Sequence, residues 1–439
     1  MKVLMLSWEY PPKNIGGLSN HVYYLSKNLG RLGHEVHVIT CEEENIPLEE
    51  EGAGVFVHRV IPYSLDSSDF TKWVMHLNFA MIEAGIKLIN ANGKFDIIHG
   101  HDWLSAYAAK VLKGSYNIPM VCTIHATEHG RNNGIRTEMQ SYISSVEWMM
   151  TYEAWKVIAC SQYMKEEIHS VFNTPLDKLY IVPNGVSVEA FEGCFNIAEF
   201  RRNFARDEEK IIFYVGRHVY EKGIQLLIEA APDILSACSE VKFVIAGKGA
   251  MSEELKQKAR AMGLENKILF LGYLEDDEKA KLYKASDVAV FPSLYEPFGI
   301  VALEAMAAGC PVAVSDVGGL KEIVEHKVSG MKLIPGSKDS IKDNVIELLD
   351  NDLLRKAVSE NAYGEVLKKY TWDKIAADTI ALYEKVREEA KGTEWEVTEI
   401  KVKKKAASRK KKSEDTAIEE SAADKETRPK RTRKKAANI

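Results

Sequence analysis

Cysteine is sparse and dispersed. Cys41, Cys122, Cys160, Cys194, Cys238 and Cys310 form no close pair and no metal-ligand spacing, which argues against a disulfide framework or a zinc site and leaves them as reduced packing residues. Long hydrophobic runs are missing too. No apolar stretch approaches the roughly 18 residues that a membrane-spanning helix needs. Ser7, Trp8 and Glu9 interrupt the first apolar segment before a signal-peptide core can form, so the sequence predicts a cytoplasmic protein. Gly247-Lys248-Gly249 follows a strand pattern but lacks the third glycine of a dinucleotide fingerprint, which argues against NAD. Asp350-Asn351-Asp352 looks like an acidic metal-binding triplet, yet it falls between helical segments and reads as helix punctuation. Neither a metal nor a resident cofactor is expected.

What is present is the composition of an ordinary globular chain, 46% hydrophobic and 28% charged over 439 residues, long enough for two cores. Charge is unevenly spread. The whole chain carries a net charge of -6, although residues 391–439 hold about seven more basic than acidic side chains, so the remainder is distinctly acidic. That argues against nucleic-acid binding by the body. The segment 389–439 has few large apolar residues and reads as a disordered Lys/Arg-rich tail. Its basic runs, Lys403–Lys405, Arg409–Lys412 and Lys430–Lys435, fit either a solubilising extension or contact with an anionic surface.

From Lys2 to about Ile181, short β-branched runs alternate with longer amphipathic segments, the pattern of a parallel sheet flanked by helices. The first unit pairs a strand at Val3–Ser7 with a helix whose Leu18, Val22, Leu25, Leu29 and Leu32 recur at helical spacing. Further strands are expected at 36–40, 55–60, 97–99, 120–124, 156–160 and 179–182. A Pro-Asn-Gly turn and a polar stretch then precede a second series at 211–215, 241–246, 268–271, 288–291, 312–315 and 331–333. This predicts an α/β protein of two Rossmann-like, doubly wound domains, 1–190 and 191–371, whose strand ends face a common central cleft.

Four groups of residues at those strand ends carry candidate chemistry. Glu296-Pro297-Phe298-Gly299-Ile300 opens a helix that contains Glu304. Two carboxylates flanking exposed N–H groups suit the hydroxyls of a sugar and a ribose, with a phosphate at the positive helix end between them. A helix-start acid and a solvated helical Glu would look the same. Arg217 and Lys222 follow the first strand of the second series, where two cations can stabilise a leaving diphosphate without a metal. Surface cations are the alternative. In the first domain Gly16 and Gly17 lead into a helix, as a phosphate-approaching loop or a plain tight turn does. His125 ends the strand 120–124, placed to hydrogen-bond a sugar or to serve structure alone. Glu128, His99, His101, Asp102 and Trp103 are candidates for the acceptor side.

As a set, these motifs resemble the retaining glycosyltransferase family 4 of the GT-B fold, over roughly residues 1–388. The resemblance assigns Glu296 and Glu304 to the family's E-x7-E, Arg217 and Lys222 to its phosphate-binding pair, Gly16 and Gly17 to its glycine loop, and His125 to its sugar-contacting histidine. It also implies that a last helix, about 372–388, returns to the first domain. Trp8-Glu9-Tyr10-Pro11-Pro12, His99-Gly100-His101-Asp102-Trp103 and Val182-Pro183-Asn184-Gly185-Val186 are most similar to glycogen and starch synthases. That implies a nucleotide-sugar donor, ADP-glucose or UDP-glucose, and an α-1,4-glucan acceptor. Asn14 stands where such synthases carry a lysine two residues before the glycine pair. Other family members act on lipid-linked, cell-wall or sucrose-type acceptors, and nucleotide-sugar 2-epimerases share the two-domain cleft.

Overall fold

The computed structural model describes residues 1–14, 16–63 and 69–397. Its first sheet has eight strands in the order β3-β4-β2-β1-β5-β6-β7-β8. They are β1 (Lys2–Leu6), β2 (Glu35–Cys41), β3 (Glu49–Gly52), β4 (Val55–Val60), β5 (Ile97–His101), β6 (Met120–Ile124), β7 (Lys156–Ala159) and β8 (Leu179–Ile181). The second sheet has six strands in the order β11-β10-β9-β12-β13-β14. These are β9 (Lys210–Val215), β10 (Val241–Ala246), β11 (Ile268–Gly272), β12 (Val288–Phe291), β13 (Val312–Ser315) and β14 (Met331–Leu333). Apart from β3, the strands pair in parallel. Helices cover both faces of such sheets, which is why the central strands read as unbroken apolar runs.

In both sheets the strand order reverses beside the first strand, β1 or β9, and the candidate residues follow strands near that reversal. His101 and His125 end or follow β5 and β6, while Arg217 and Glu296 follow β9 and β12. Loops leaving adjacent parallel strands in opposite directions open a crevice at this point.

β3 was not foreseen. Glu-Glu-Glu-Gly has no apolar periodicity, and it pairs antiparallel with β4 only because Ala53 and Gly54 turn the chain with positive φ. Asn351 accepts the N–H of Leu354 at 3.0 Å and caps the helix Asp352–Lys369, so the acidic triplet is helix punctuation.

The last helix, Trp372–Ala390, packs Ile375, Ala376, Tyr383 and Val386 against Val3, Met5 and Val22 of the first half. It runs two residues past 388, and the chain beyond it stays attached. Glu389 accepts from the Trp155 indole at 2.8 Å and pairs with Lys156 at 3.0 Å, and the Lys113 ammonium lies 5.1 Å from the Trp395 ring centre. The start of the expected tail is therefore bound to the body by partners distant in sequence; residues 398–439, with all the basic runs, lie outside the described residues. Among the described residues no helix is long and apolar enough to cross a membrane. The cysteines there are free thiols, but only Cys41, Cys122, Cys160 and Cys310 are buried packing groups; Cys194 is exposed and Cys238 half-buried.

Candidate active site

The second half brings Lys222 and Glu296 together through two glycines. Gly223 sits at φ 69°, and a Cβ there would fall 1.9 Å from the carbonyl oxygen of Pro292. Only glycine lets this turn press against the segment after β12. The Lys222 ammonium then lies 2.7 Å from Glu296 Oε2, which also accepts from the Ser293 hydroxyl at 3.2 Å. Glu296 is itself seated on the turn after β13. Gly319 N–H donates to its carbonyl at 2.9 Å, and a Cβ on Gly318, at φ 49°, would fall 1.9 Å from the same oxygen. Arg217 sits differently. It is half exposed, and its guanidinium is 3.5 Å from Glu221.

Glu304 stands one turn inside the helix Ile300–Ala307 and is buried rather than solvated. Its Oε1 lies 2.9 Å from the Lys279 ammonium, and its Oε2 accepts from the Tyr283 hydroxyl at 3.2 Å. Burial works against the charge of Lys279, but the carboxylates of Glu304 and Asp276 outweigh it and raise the ammonium pKa. The two glutamates of the helix start are thus each held by a lysine from a different element.

Across the cleft, Gly16 caps the helix Gly17–Arg31, and Gly17 meets Ile300 so closely that a Cβ would fall 2.6 Å from Ile300 Cδ1. The glycine loop and the Glu296 helix start therefore oppose one another. Phe298 contributes only backbone to this gap, because its ring is buried and packs edge-on to Tyr370. Lys13 points away, pairing with Glu43 at 3.2 Å. Beside the gap, a cavity is lined by Asn20, His21 and Tyr24 of the first half, Lys279, Ile300 and Glu304 of the second, and Trp372 of the returning helix. Side chains hold the halves together at this level. The Ser161 hydroxyl donates to Pro297 O at 2.7 Å, Tyr295 OH donates to Glu167 at 3.0 Å, and the Glu322 carboxylate accepts the N–H groups of Gln162 and Tyr163 at 2.9 and 2.8 Å.

His125 is not a lone histidine. Its Nε2 lies 3.3 Å from Nδ1 of His101, and its ring centre is 4.8 Å from that of His21. Its backbone N–H donates to Asp102 at 2.8 Å. Burial, with the Arg131 charge adding to it, lowers the His125 pKa to about 3, so the ring is neutral at physiological pH. Burial also pushes the Asp102 carboxyl up to about 6 against the pull of Arg131. Of the expected acceptor-side residues, His99 is fully buried and bonded to Tyr383 OH at 2.6 Å and Thr123 Oγ1 at 2.8 Å, which makes it a link between sheet and last helix. His101 and Trp103 are buried as well, because β5 is a central strand whose end is covered by the first turn that follows it. Glu128 keeps partial access beside Arg131.

Several site residues were missed. Gly318-Gly319 after β13 repeats the strand-then-glycine-pair signature of Gly16-Gly17, so it was open to the same reasoning. His21, Lys279 and Glu322 carried no local signal, since each matters through a partner far away in the chain.

A family model described as Glycosyltransferase Family 4 matches residues 15–190, and one described as Glycosyl transferases group 1 matches residues 196–365. The chain is 43% identical over 387 residues to an uncharacterized glycosyltransferase of Methanocaldococcus jannaschii, covering 87% of this chain and 98% of that protein. It is 34% identical over 400 residues to a glycogen synthase of Mycobacterium tuberculosis, covering 87% and 94%. Among solved structures, a sucrose-phosphate synthase from Thermosynechococcus elongatus superposes with a TM-score of 0.76 at 23% identity, over 88% of this chain and 99% of that one. The catalytic domain of starch synthase IV from Arabidopsis thaliana, bound to ADP and acarbose, superposes with a TM-score of 0.71 at 17% identity, over 88% and 99%. These likenesses carry the fold, two facing α/β halves of the GT-B type.

Proposed function

The chain belongs to glycosyltransferase family 4, and from that premise we propose that it moves a glucosyl unit from ADP-glucose or UDP-glucose to the non-reducing end of an α-1,4-glucan. Transfer retains the configuration at C1, needs no metal and no resident cofactor, and takes place in the cytoplasm. The observation that carries this reading is the meeting of Lys222, Glu296 and the helix start with the glycine loop of the opposite half. Full-length similarity to a glycogen synthase supports the choice of acceptor.

In this reading the diphosphate lies between Gly16-Gly17 and the backbone of Phe298–Ile300. Arg217 and Lys222 face it, and Glu304 accepts from the ribose hydroxyls. The acceptor hydroxyl attacks C1 on the face from which the diphosphate departs. As the C1–O bond to phosphate breaks and the new one forms, the acceptor proton passes to the departing phosphate oxygen. Fixed cations stabilise the charge that develops there, and charge held in place before the reaction, in a site closed to water, supplies most of the rate enhancement in many enzymes. His125, neutral and half-buried, hydrogen-bonds the sugar without adding charge near C1.

The test is a panel of nucleotide sugars, with and without glycogen, read as released nucleotide and by the anomeric configuration of the product. Glycogen-dependent release from ADP-glucose or UDP-glucose is expected, with EDTA leaving the rate intact. Release that ignores glycogen but responds to inositol phosphate, sucrose-type or lipid acceptors would replace the acceptor assignment. Donor isomerisation without any acceptor would replace the reaction.

A further inference from the structure

The proposed reaction uses one imidazole, yet the fold brings three to a point. His21 comes from the helix Gly17–Arg31, His101 from the end of β5 and His125 from the residue after β6. One ring nitrogen of each lies within 4.8 Å of those of the other two. The His101–His125 separation is 3.3 Å. Two imidazole nitrogens bound to one tetrahedral Zn²⁺ at about 2.0–2.1 Å stand roughly 3.3 Å apart, so this pair is already at ligand spacing.

The protons point the same way. His21 Nδ1 donates to Asn184 Oδ1 at 2.6 Å, which fixes its proton on that nitrogen and leaves Nε2 with a lone pair. A ring N–H bonded to a carbonyl oxygen is the outer-shell contact that orients metal-bound histidines. Between His101 and His125 a single shared proton makes the hydrogen bond. The three converging nitrogens thus present two lone pairs. His101 Nε2, buried, has no hydrogen-bond partner among the described residues; metal binding moves the shared proton to this far nitrogen, which frees the third lone pair.

We propose that His21, His101 and His125 form a binding site for a divalent ion of the Zn²⁺ class, and that the ion, seated on His125, blocks the sugar pocket and inhibits the enzyme. Three neutral nitrogen ligands select Zn²⁺, Co²⁺ or Cu²⁺ over Mg²⁺, which prefers oxygen. The inhibitory half rests on the transferase reading above; the binding half does not.

The experiment uses the full chain, stripped with EDTA and dialysed, and titrates Co²⁺ by visible absorption and Zn²⁺ by calorimetry. One equivalent with the intense visible band of tetrahedral Co²⁺ is expected. His21→Ala should abolish the band, and Asn184→Ala, which keeps all three ligands, should weaken binding about 10-fold or more. His58→Ala is the control. It removes a separate pair, in which His58 lies 3.0 Å from the buried His37, and should leave the band unchanged. Thermal melts of each variant exclude misfolding as the cause. Absence of a tetrahedral band, a band that survives in folded His21→Ala protein, or one lost in His58→Ala overturns the site. If Co²⁺ binds at the triad while Zn²⁺ at the same occupancy leaves donor turnover unchanged, the inhibitory half is wrong. If no donor is turned over at all, the transferase reading fails, and the Co²⁺ spectrum still decides the site.

Discussion

The ammonium of Lys222 and the carboxylate of Glu296 lie 2.7 Å apart, although 74 residues separate them. Each is largely shielded from water, so neither charge can be removed without stranding the other. In the proposed reaction the pair keeps a cation beside the diphosphate before substrate arrives. Lys222→Ala is expected to lower kcat by about 100-fold or more, the scale of losing one preorganised donor, and to lower the melting temperature as well. Steady-state kinetics beside a thermal melt check both. Near-normal turnover in a folded variant would remove Lys222 from the mechanism.

Gly17 faces Ile300 where the loop meets the helix start. Gly17→Ala places a methyl where Ile300 Cδ1 now sits, at 2.6 Å, so the cleft must open or the side chain must move. Ile300→Val deletes that carbon. Turnover should fall several-fold in Gly17→Ala and recover in the double variant, a coupling that a double-mutant cycle measures directly. Independent effects of the two changes would mean that the halves do not close at this point.

Glu304 should act on binding rather than on the chemical step. Its carboxylate is held by Lys279 and Tyr283 away from Glu296, so Glu304→Ala is expected to raise the donor KM about 10-fold with kcat little changed. An equal fall in kcat and kcat/KM would place Glu304 at the transition state instead. Lys279→Met leaves Glu304 buried without its cation and should cost roughly 3–5 kcal/mol of stability.

Glu147 provides a pH signature. It is buried beneath the residues that follow His125 and accepts the N–H of Glu128 at 2.9 and 3.1 Å. Burial raises its pKa to about 8 from an ordinary 4.5. Between those values the folded state keeps a proton that the unfolded chain has released. This group's contribution is therefore full below pH 4.5 and is lost as pH rises toward 8. Glu147→Gln should be relatively more stable than the parent at pH 8 than at pH 5, as read from melts at both values. An unchanged difference between the two pH values would mean that Glu147 ionises normally.

Much of the architecture was legible in the chain, because period and punctuation are local. β4, β6, β10, β12, β13 and β14 stand where alternation and turn residues put them, and the other core strands differ by a residue or two at their ends. β3 escaped because what holds it is its pairing with β4, including the contacts Glu49–His58 and Glu50–Arg59, and not an apolar period of its own. Glu296, Lys222 and His125 could be named because strand ends in this kind of sheet collect ligands. Their partners could not.

Sequence alone determined the elements other than β3 that build the two sheets, which residues stand at the strand ends and which family the chain resembles, since each follows from neighbours a few positions apart. Tertiary structure decided that Lys222 pairs with Glu296 while Arg217 reaches Glu221, that Lys279 holds Glu304, and that His21 joins His101 and His125. Apart from the Arg217–Glu221 contact, these meetings bridge tens of residues of chain. They depend on how two sheets and one returning helix pack, which no local pattern encodes.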